Sequence, residues 1–399
     1  MEARAGRFPI GASATLAELE GADPHGLLDR LRAAEPVSWL PVLQGWLVTR
    51  RDLALRVMRH AETFTVDDPR FSTAQVVGPS MLSLDGEEHA RHRAPFARPF
   101  RLKPVHERFG AIVEDECDRL LDRIAGRGEA DLRASLTGPL SVAAMAAALG
   151  LDDLPPELPL RWYGAIVAAV TDITAGREPS AEGHAAFADL GRALDRVLDR
   201  DLASSLLAAA AGAAGGLGRV EVVSNAAILL FGGIETTDGM IANALHHVLS
   251  SPDARGALAE RPELVANAVE ESLRLEPAAA VVDRYSTRET VLEGVRIGRR
   301  ELVRVSLAAA NRDPAVFPDP HRYDVRRADA KLQAAFAHGP HVCLGMHLAR
   351  LEARVALART LERLPGLRLD PDGDSAPTGL VFRKPPELRV RWSREAVVA

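Results

Sequence analysis

Cysteine is scarce in this 399-residue chain, which carries only Cys117 and Cys343. Two cysteines are too few for a disulfide framework, so we expect a protein of a reducing compartment, the cytoplasm. Cys117 belongs to an apolar pattern with helical spacing that includes Val113 and Leu121. It is therefore predicted to lie in the core, which leaves Cys343 as the candidate for chemistry.

Long hydrophobic runs are also missing. The most apolar stretch, Ala226 to Ile234, is about half as long as a membrane-spanning helix requires, and Glu235 ends it. The beginning of the chain, Met1-Glu2-Ala3-Arg4, has no apolar segment either. We therefore expect neither a signal peptide nor a membrane anchor.

Lysine is almost absent, since three of the 49 basic residues are lysine (Lys103, Lys331 and Lys384) and the rest are arginine. This bias indicates a GC-rich coding sequence more than a function. The formal net charge of −6 argues against nucleic-acid binding by the molecule as a whole. We find no internal repeat and no long linker, so residues 1–399 are predicted to form one domain.

Helical periodicity dominates the chain. The predicted helices cover residues 24–34, 50–59, 87–95, 105–126, 138–149, 184–210, 220–250, 262–275 and 345–363. Strand-like alternation is found at residues 37–48, 291–305 and 388–392. Together these patterns predict a mainly α protein with small β-sheets.

Cys343 lies in the segment Phe336-Ala337-His338-Gly339-Pro340-His341-Val342-Cys343-Leu344-Gly345, just before a predicted helix. A cysteine at such a junction is near unpaired backbone N–H groups and the positive end of a helix dipole, which favour a thiolate. A lone thiolate suits axial ligation of iron. Two other interpretations are a small buried hydrophobe and a zinc site with neighbouring histidines, although no second ligand arm is evident.

This ten-residue segment resembles the haem-binding loop of the cytochrome P450 family. Phe336, Gly339, His341, Cys343 and Gly345 match the family pattern, whereas Ala337 stands where glycine is usual. The resemblance covers nearly the whole chain. It implies the P450 fold, a triangular haem-thiolate helical domain, with haem b bound and Cys343 as the axial ligand of its iron.

The sequence Gly232-Gly233-Ile234-Glu235-Thr236-Thr237 stands in the middle of the longest predicted helix. Two glycines inside a helix cost about 1 kcal/mol each relative to alanine, which indicates that a bare backbone is required there. The glycines either admit a flat ligand or pack two helices closely beside a solvated Glu235. The segment resembles the oxygen-activation motif of the family. That resemblance implies that Thr236 orients dioxygen against Gly232 and Gly233, and that Glu235 relays protons.

Glu271 and Arg274 are three residues apart on a predicted helix, so their side chains share one face. The resemblance implies that they form a buried structural triad with Arg322. It also implies that His89, Arg93, Arg284 and His341 bind the haem propionates, with Phe336 and Gly345 completing the cofactor site. Pro95 is predicted to kink or end the His89 helix near Ala94.

The resemblance further implies a pocket lined by apolar and mostly small side chains. These are Val76, Val77, Met81, Leu82, Trp162, Ile166, Val170, Ile228, Phe231, Ala280, Val281, Val282, Leu380 and Val381. Such a lining favours a bulky, mostly hydrophobic substrate.

The predicted function is that of a haem-thiolate monooxygenase, which inserts one oxygen atom from O2 into such a substrate by hydroxylation or epoxidation, in natural-product tailoring. The chain has no flavin or iron–sulfur domain, so electrons are expected from a ferredoxin and its NAD(P)H-dependent reductase. The cations Arg91, His92, Arg98, Arg101, Arg350 and Arg354 are expected to form the docking patch. The alternatives are a peroxygenase or oxidative-coupling enzyme on the same fold, and a haem-free zinc-binding helical protein.

Overall fold

The computed structural model describes residues 2–155, 157–174, 180–199 and 216–394, together with positions 178 and 207. Its α-helices are α1 (Glu2–Arg7), α2 (Pro9–Ser13), α3 (Leu16–Glu20), α4 (His25–Ala34), α5 (Arg51–Arg59), α6 (Ser72–Val77), α7 (Gly86–Ala97), α8 (Leu102–Ala125), α9 (Gly138–Leu149), α10 (Glu157–Thr174), α11 (Ala181–Asp199), α12 (Arg219–Ser250), α13 (Pro252–Glu260), α14 (Val265–Leu275), α15 (Leu307–Ala310) and α16 (Met346–Arg363). The predicted mainly α architecture is confirmed.

The long helix α12 is the centre of this helical body and packs against α9, α14 and α16. Within the described ranges it is the one helix long and apolar enough to cross a membrane, with a mean hydropathy of 1.2 over its most apolar window. However, 67% of that window is buried inside the protein. A helix that is apolar on most sides and covered by other helices is a core helix.

Helix α7 continues through Pro95 to Ala97, so the predicted end near Ala94 is wrong. Proline lacks the N–H that would bond to the carbonyl four residues earlier. Because Pro95 lies in the last turn, only one bond of the ladder is lost before the helix ends. Pro99, by contrast, lies beyond the helix.

Two further helices, α10 and α11, differ from the prediction. Helix α10 was not predicted, although Trp162, Ile166 and Val170 recur every four residues and therefore share one face of it. The predicted helix 184–210 corresponds to α11, and most of the positions from 200 to 210 lie outside the described residues.

The strands lie beside the helical body in three small sheets. They are β1 (Val37–Leu40), β2 (Gly45–Val48), β3 (Phe64–Thr65), β4 (Glu129–Asp131), β5 (Val281–Ser286), β6 (Thr290–Leu292), β7 (Val295–Ile297), β8 (Leu302–Ser306), β9 (Arg368–Leu369) and β10 (Arg389–Arg391). The sheet orders are β1-β2-β8-β5-β3, β4-β10-β9 and β6-β7. In the largest sheet β2 and β8 are parallel, while β5 is antiparallel to β8 with Arg284 opposite Val303. This register fixes the face of the sheet from which Arg284 projects.

Candidate active site

The loop before α16 is held in shape by its own backbone. The Cys343 N–H donates to the carbonyl of Phe336 at 2.8 Å, which closes the loop. Gly339 has a φ of +77°, and a Cβ there would lie 2.5 Å from the carbonyl oxygen of Met58 on α5. Only glycine permits both the left-handed backbone and this close approach.

Ala337 has a φ of +59°, at the position where the related loops usually have glycine. The left-handed region costs an L-residue with a Cβ about 1–2 kcal/mol. Ala337 therefore adopts a conformation that glycine reaches more easily, at a cost in backbone strain.

Opposing effects act on the thiol of Cys343. Its side chain is partly accessible, yet burial raises the pKa of the thiol. The N–H of Gly345 and the charges of Arg93 and Arg350 act in the opposite direction but do not outweigh burial. The thiolate expected at this junction stays a prediction, and the N–H of Gly345 and the two arginines are the groups that favour it.

The zinc interpretation fails on the placement of the histidines. His341 Nε2 contacts Asp85 Oδ1 at 2.8 Å, and His338 Nε2 contacts Arg59 at 2.8 Å. Across the ranges that the structure describes, no three His, Cys, Asp or Glu side chains are grouped to hold a metal ion. The loop therefore provides one metal ligand, the sulfur of Cys343.

One stripe of α12 is open although the helix is otherwise buried at its centre. Leu229, Gly232, Gly233 and Thr236 are partly accessible, and their spacing of three, four and seven residues puts them on one face. The Thr236 hydroxyl donates to the carbonyl of Gly232 at 2.6 Å. This bond occupies a carbonyl of the helix and fixes the hydroxyl beside the stripe.

The two glycines of this stripe serve different purposes. A Cβ on Gly232 would meet no atom within 4 Å, whereas a Cβ on Gly233 would overlap Sδ of Met145 on α9. Gly232 therefore borders open space, and Gly233 permits close packing of two helices. Gly232 thus fits the interpretation that the glycines admit a flat ligand, and Gly233 fits the interpretation that they pack two helices closely.

Glu235 is buried, with 8% of its surface exposed, so the interpretation as a solvated glutamate is wrong. Its Oε1 lies 2.8 Å from Nζ of Lys384. Lys384 also contacts Oδ2 of Asp238 at 3.1 Å. Sequence reasoning did not identify Lys384 as a functional residue; its signal was that it is one of only three lysines in an arginine-rich chain.

The predicted propionate ligands converge on one side of the Cys343 loop. The ring centroids of His89 and His341 are 4.3 Å apart, and Arg93 donates to the carbonyl of Val342 at 2.6 Å. Asp85, which was not predicted, accepts from Thr65 and Val66 as well as from His341. It orients His341.

This cluster combines arginines that are buried or half-buried with a buried neutral histidine. Burial, His341 and Arg93 lower the pKa of His89 to about 4, and Nε2 of His89 has no hydrogen-bond partner among the described residues. Arg284 is 4% exposed, and in the described ranges its one hydrogen bond goes to the carbonyl of Asp283, whose carboxylate is bound by Arg304. Burial lowers the pKa of Arg284 as well. Buried cations and an orphaned ring nitrogen fit a group that carries carboxylates, as haem does.

The predicted triad is wrong in its third member. Glu271 and Arg274 form a fully buried ion pair, with Arg274 Nε 2.7 Å from Glu271 Oε2. The second arginine on Glu271 is Arg327, whose Nε lies 2.9 Å from Oε1. The Arg322 side chain is exposed, and this residue contributes only its carbonyl, which accepts from Arg274. Arg327 stands five residues later, after a turn at Val325–Arg326 that is closed by a hydrogen bond from the Arg327 N–H to the Asp324 carbonyl.

Most of the predicted pocket residues meet in one apolar cluster. Its members from the predicted pocket are Val76, Val77, Met81, Trp162, Ile166, Val170 and Ile228, with Leu82 packed against it. Helix α6 contacts α10, so the residues predicted for the pocket on these two helices lie close together. The Phe231 ring on α12 packs edge-on against Phe382 with centroids 5.8 Å apart, and Phe382 was not predicted.

The strand side of the pocket is only partly as predicted. Leu380 packs with the cluster that contains Ala280, and the Ala280 N–H donates to the Val381 carbonyl at 2.8 Å. Side chains alternate along a strand, so Val282 shares the face of Arg284 and Val281 lies on the opposite face. Val281 and Val282 therefore cannot line the same face of the strand, and which of the two borders the pocket stays a prediction.

Comparison with known proteins agrees with this geometry. A model of the cytochrome P450 family matches residues 191–387. The cytochrome P450 monooxygenase PikC of Streptomyces venezuelae is 34% identical, with 94% of this chain and 92% of the relative covered. Mycinamicin IV hydroxylase/epoxidase of Micromonospora griseorubida is also 34% identical, with 93% and 97% covered. The crystal structure of CalO2 superposes with a TM-score of 0.84 at 30% identity, covering 93% of this chain and 96% of that one. The chain therefore belongs to the cytochrome P450 family of haem-thiolate monooxygenases.

Proposed function

We propose that this P450 hydroxylates or epoxidises a bulky, mostly hydrophobic natural product in the cytoplasm, and that residues 1–399 act as one P450 unit. The observation that carries the proposal is the open stripe of α12, where Thr236 is fixed beside Gly232 next to a buried acid, Glu235. A peroxide-using or coupling enzyme does not require a hydroxyl and an acid at this position.

The residues present fit haem b, which when bound supplies dioxygen activation. Cys343 is the axial ligand that we assign, with His89, Arg93, Arg284 and His341 around the propionates. Phe336 and Gly345 hold the loop, since Phe336 accepts the closing hydrogen bond and Gly345 donates to the sulfur. Thr236 orients the oxygen-binding side of the cavity, and Glu235 moves a proton toward it.

The apolar lining supports the substrate class. The cluster that joins α6, α10 and α12 contains aromatic and aliphatic side chains, which bury apolar surface without providing a counter-ion. The relative mycinamicin IV hydroxylase/epoxidase is named for hydroxylation and epoxidation. This supports the proposed type of reaction.

The first experiment tests the ligand. Cys343→Ala should abolish the red-shifted absorption of the reduced, carbon-monoxide-bound protein, because no other residue in the loop offers a thiolate. Cys117→Ala should retain it, since burial raises the pKa of this thiol to about 12 and it lies in the core. A haem spectrum of normal thiolate type in Cys343→Ala would refute the assignment.

The second experiment tests the α12 residues. Thr236→Ala should still bind haem but reduce dioxygen to peroxide in place of product, because the hydroxyl that orients the oxygen side is lost. Thr237→Ala is the matched control, since Thr237 is buried beside it and outside the open stripe. Equal peroxide yields in both variants would instead favour the peroxygenase or coupling alternative.

We further propose that a ferredoxin, reduced by an NAD(P)H-dependent reductase, supplies the electrons and docks near Arg98 and Arg101. The predicted patch is smaller than expected, because Arg91 is paired with Glu88 and Glu221 and Arg350 with Glu270. Within the described part of the chain, Arg98 and Arg101 form no ion pair and are accessible. Such cations attract an acidic partner over a distance that salt shortens.

The docking proposal has a control on α8, the helix that begins just after Arg101. Arg98→Glu with Arg101→Glu should slow reduction by an acidic ferredoxin and weaken its dependence on salt. Arg123→Glu should not, since Arg123 is exposed near the far end of α8, roughly 30 Å away at 1.5 Å per residue. Equal reduction rates in both variants would place the docking site elsewhere.

A further inference from the structure

Two carboxylates and two cations form a buried cluster beside α12. Glu235 and Asp238 come from the helix, Arg133 from the turn before α9, and Lys384 from the C-terminal part of the chain. Lys384 Nζ lies 2.8 Å from Glu235 Oε1 and 3.1 Å from Asp238 Oδ2, while Arg133 Nη2 lies 2.5 Å from Asp238 Oδ2. These are the charged groups that face Glu235, and their formal charges cancel.

The two carboxylates are held very differently. Asp238 also accepts from the Thr137 hydroxyl at 2.5 Å. Burial acts to raise the pKa of Asp238, but Lys384, Arg133 and Thr137 outweigh it and the pKa is lowered. Among the described residues, the carboxylate of Glu235 contacts only Lys384. Asp238 is therefore the fixed anchor of the cluster, and Glu235 is the carboxylate that can leave it.

Lys384 belongs to a hairpin, the pocket hairpin, which packs on the predicted pocket residue Phe231. The hairpin is closed by backbone hydrogen bonds between Thr378 and Lys384 in both directions. Its base is fixed by Arg383, which is 1% exposed and donates to Glu276 and to backbone carbonyls. Between Thr378 and Arg383 lies Phe382, whose ring packs on Phe231 of α12. The pocket hairpin thus contacts a predicted pocket residue and also holds the partner of Glu235.

We propose that Lys384 is a positioning residue for Glu235, through which the pocket hairpin controls when this carboxylate is available to carry a proton. The inference rests on the proposed role of Glu235 in the monooxygenase reaction. Lys384 remains an ammonium throughout. Glu235 leaves it, takes a proton from water, gives that proton up on the Thr236 side, and returns as a carboxylate. Asp238 stays paired with Arg133 and retains Lys384 in the meantime.

The scarcity of lysine allows the pairing to be observed without any turnover. With ¹³C-labelled lysine, the reduced carbon-monoxide complex should give signals from Lys103, Lys331 and Lys384 only. Lys384→Arg identifies the third signal. Glu235→Gln should shift that signal, and so should Phe382→Ala, while the signals of Lys103 and Lys331 stay in place. If the Lys384 signal is unchanged in Glu235→Gln, the proposal is overturned.

The pH dependence of dioxygen reduction without substrate supplies the second readout. In Lys384→Met, Glu235 loses its partner and becomes a buried unpaired acid, which favours the neutral form. The apparent pKa of the rate should rise by at least about one unit, a tenfold change in proton affinity. Lys384→Arg should restore the wild-type profile. Glu235→Gln added to Lys384→Met should remove the shifted pKa.

A purely structural role for Lys384 predicts a different result. It would lower the rate of Lys384→Met by the same factor at every pH, and that outcome would refute the positioning role. The carbon-monoxide spectrum is recorded on each variant. A thiolate-type spectrum without the pH shift rejects the inference and leaves the proposed function standing, whereas loss of that spectrum in the wild-type protein rejects the proposed function itself.

Discussion

At the scale of single residues, the Cys343 loop contains an alanine in the left-handed backbone region. Ala337 has a φ of +59°, and Gly339, two residues later, has a φ of +77°. Ala337→Gly should raise the free energy of unfolding by up to about 1 kcal/mol, because the strain of a Cβ in this region exceeds the extra entropy of glycine in the unfolded chain. Chemical denaturation of the haem-loaded protein measures the change.

The matched substitution in the same loop should change the free energy of unfolding in the opposite direction. Gly339→Ala places a Cβ against the carbonyl of Met58 as well as in a left-handed backbone. The free energy of unfolding should fall by more than about 1 kcal/mol, and the variant should retain haem poorly. Equal stability of the two variants would mean that the loop changes its backbone conformation on substitution.

At the scale of elements, the glycines of α12 separate helix packing from the cavity. Gly232→Ala should stabilise the fold by up to about 1 kcal/mol through helix propensity, because its Cβ enters open space. It should also weaken binding of bulky ligands. Gly233→Ala must displace Met145 and should cost about 1–3 kcal/mol from overpacking, partly offset by the same propensity gain. Thermal unfolding and ligand-induced spectral titration distinguish the two effects.

Ion pairs join α14 to the segment before the Cys343 loop, and two arginine substitutions in that segment should differ in their effect on stability. Arg327→Ala removes a charged hydrogen bond to buried Glu271 and should cost about 1.5–3 kcal/mol, since Arg274 still compensates the carboxylate. Arg322→Ala should change stability by no more than about 0.5 kcal/mol, because its backbone carbonyl survives the substitution. The reverse order in urea denaturation would restore Arg322 to the triad.

At the scale of the whole molecule, Glu352 on α16 links stability to pH. It is 1% exposed, its Oε2 has no hydrogen-bond partner in the described part of the chain, and burial raises its pKa well above the usual value. Above the unfolded-state pKa of about 4.3, the folded protein holds a proton that the unfolded chain releases. Stability therefore falls as pH rises toward the folded-state pKa, by up to about 1.4 kcal/mol per pH unit.

Glu352→Gln keeps the shape of the side chain and removes the proton linkage. The variant should be more stable than the wild-type protein at pH 7, by a margin that shrinks steadily toward pH 4.5. Unfolding curves at several pH values measure this margin. A margin that does not change with pH would show that Glu352 is ionised in the folded protein.

The local chemistry of the chain was sufficient to predict several parts of this protein. The mainly α fold follows from helical periodicity. The Cys343 loop and the Gly232–Thr237 segment can each be recognised from ten or fewer consecutive residues. Such features depend on neighbours along the chain, on spacing and on backbone conformation, all of which the sequence contains directly.

Tertiary structure decided which distant groups become partners. Arg327 rather than Arg322 meets Glu271, Asp85 orients His341, and Lys384 meets Glu235. The two α12 glycines differ only in what packs against them. In each case several residues at nearby sequence positions could have formed the contact, and the local sequence pattern does not distinguish among them. The choice follows from how the loops and the hairpin fold back onto the helices, because a buried charge is stable only where a partner lies within hydrogen-bonding distance.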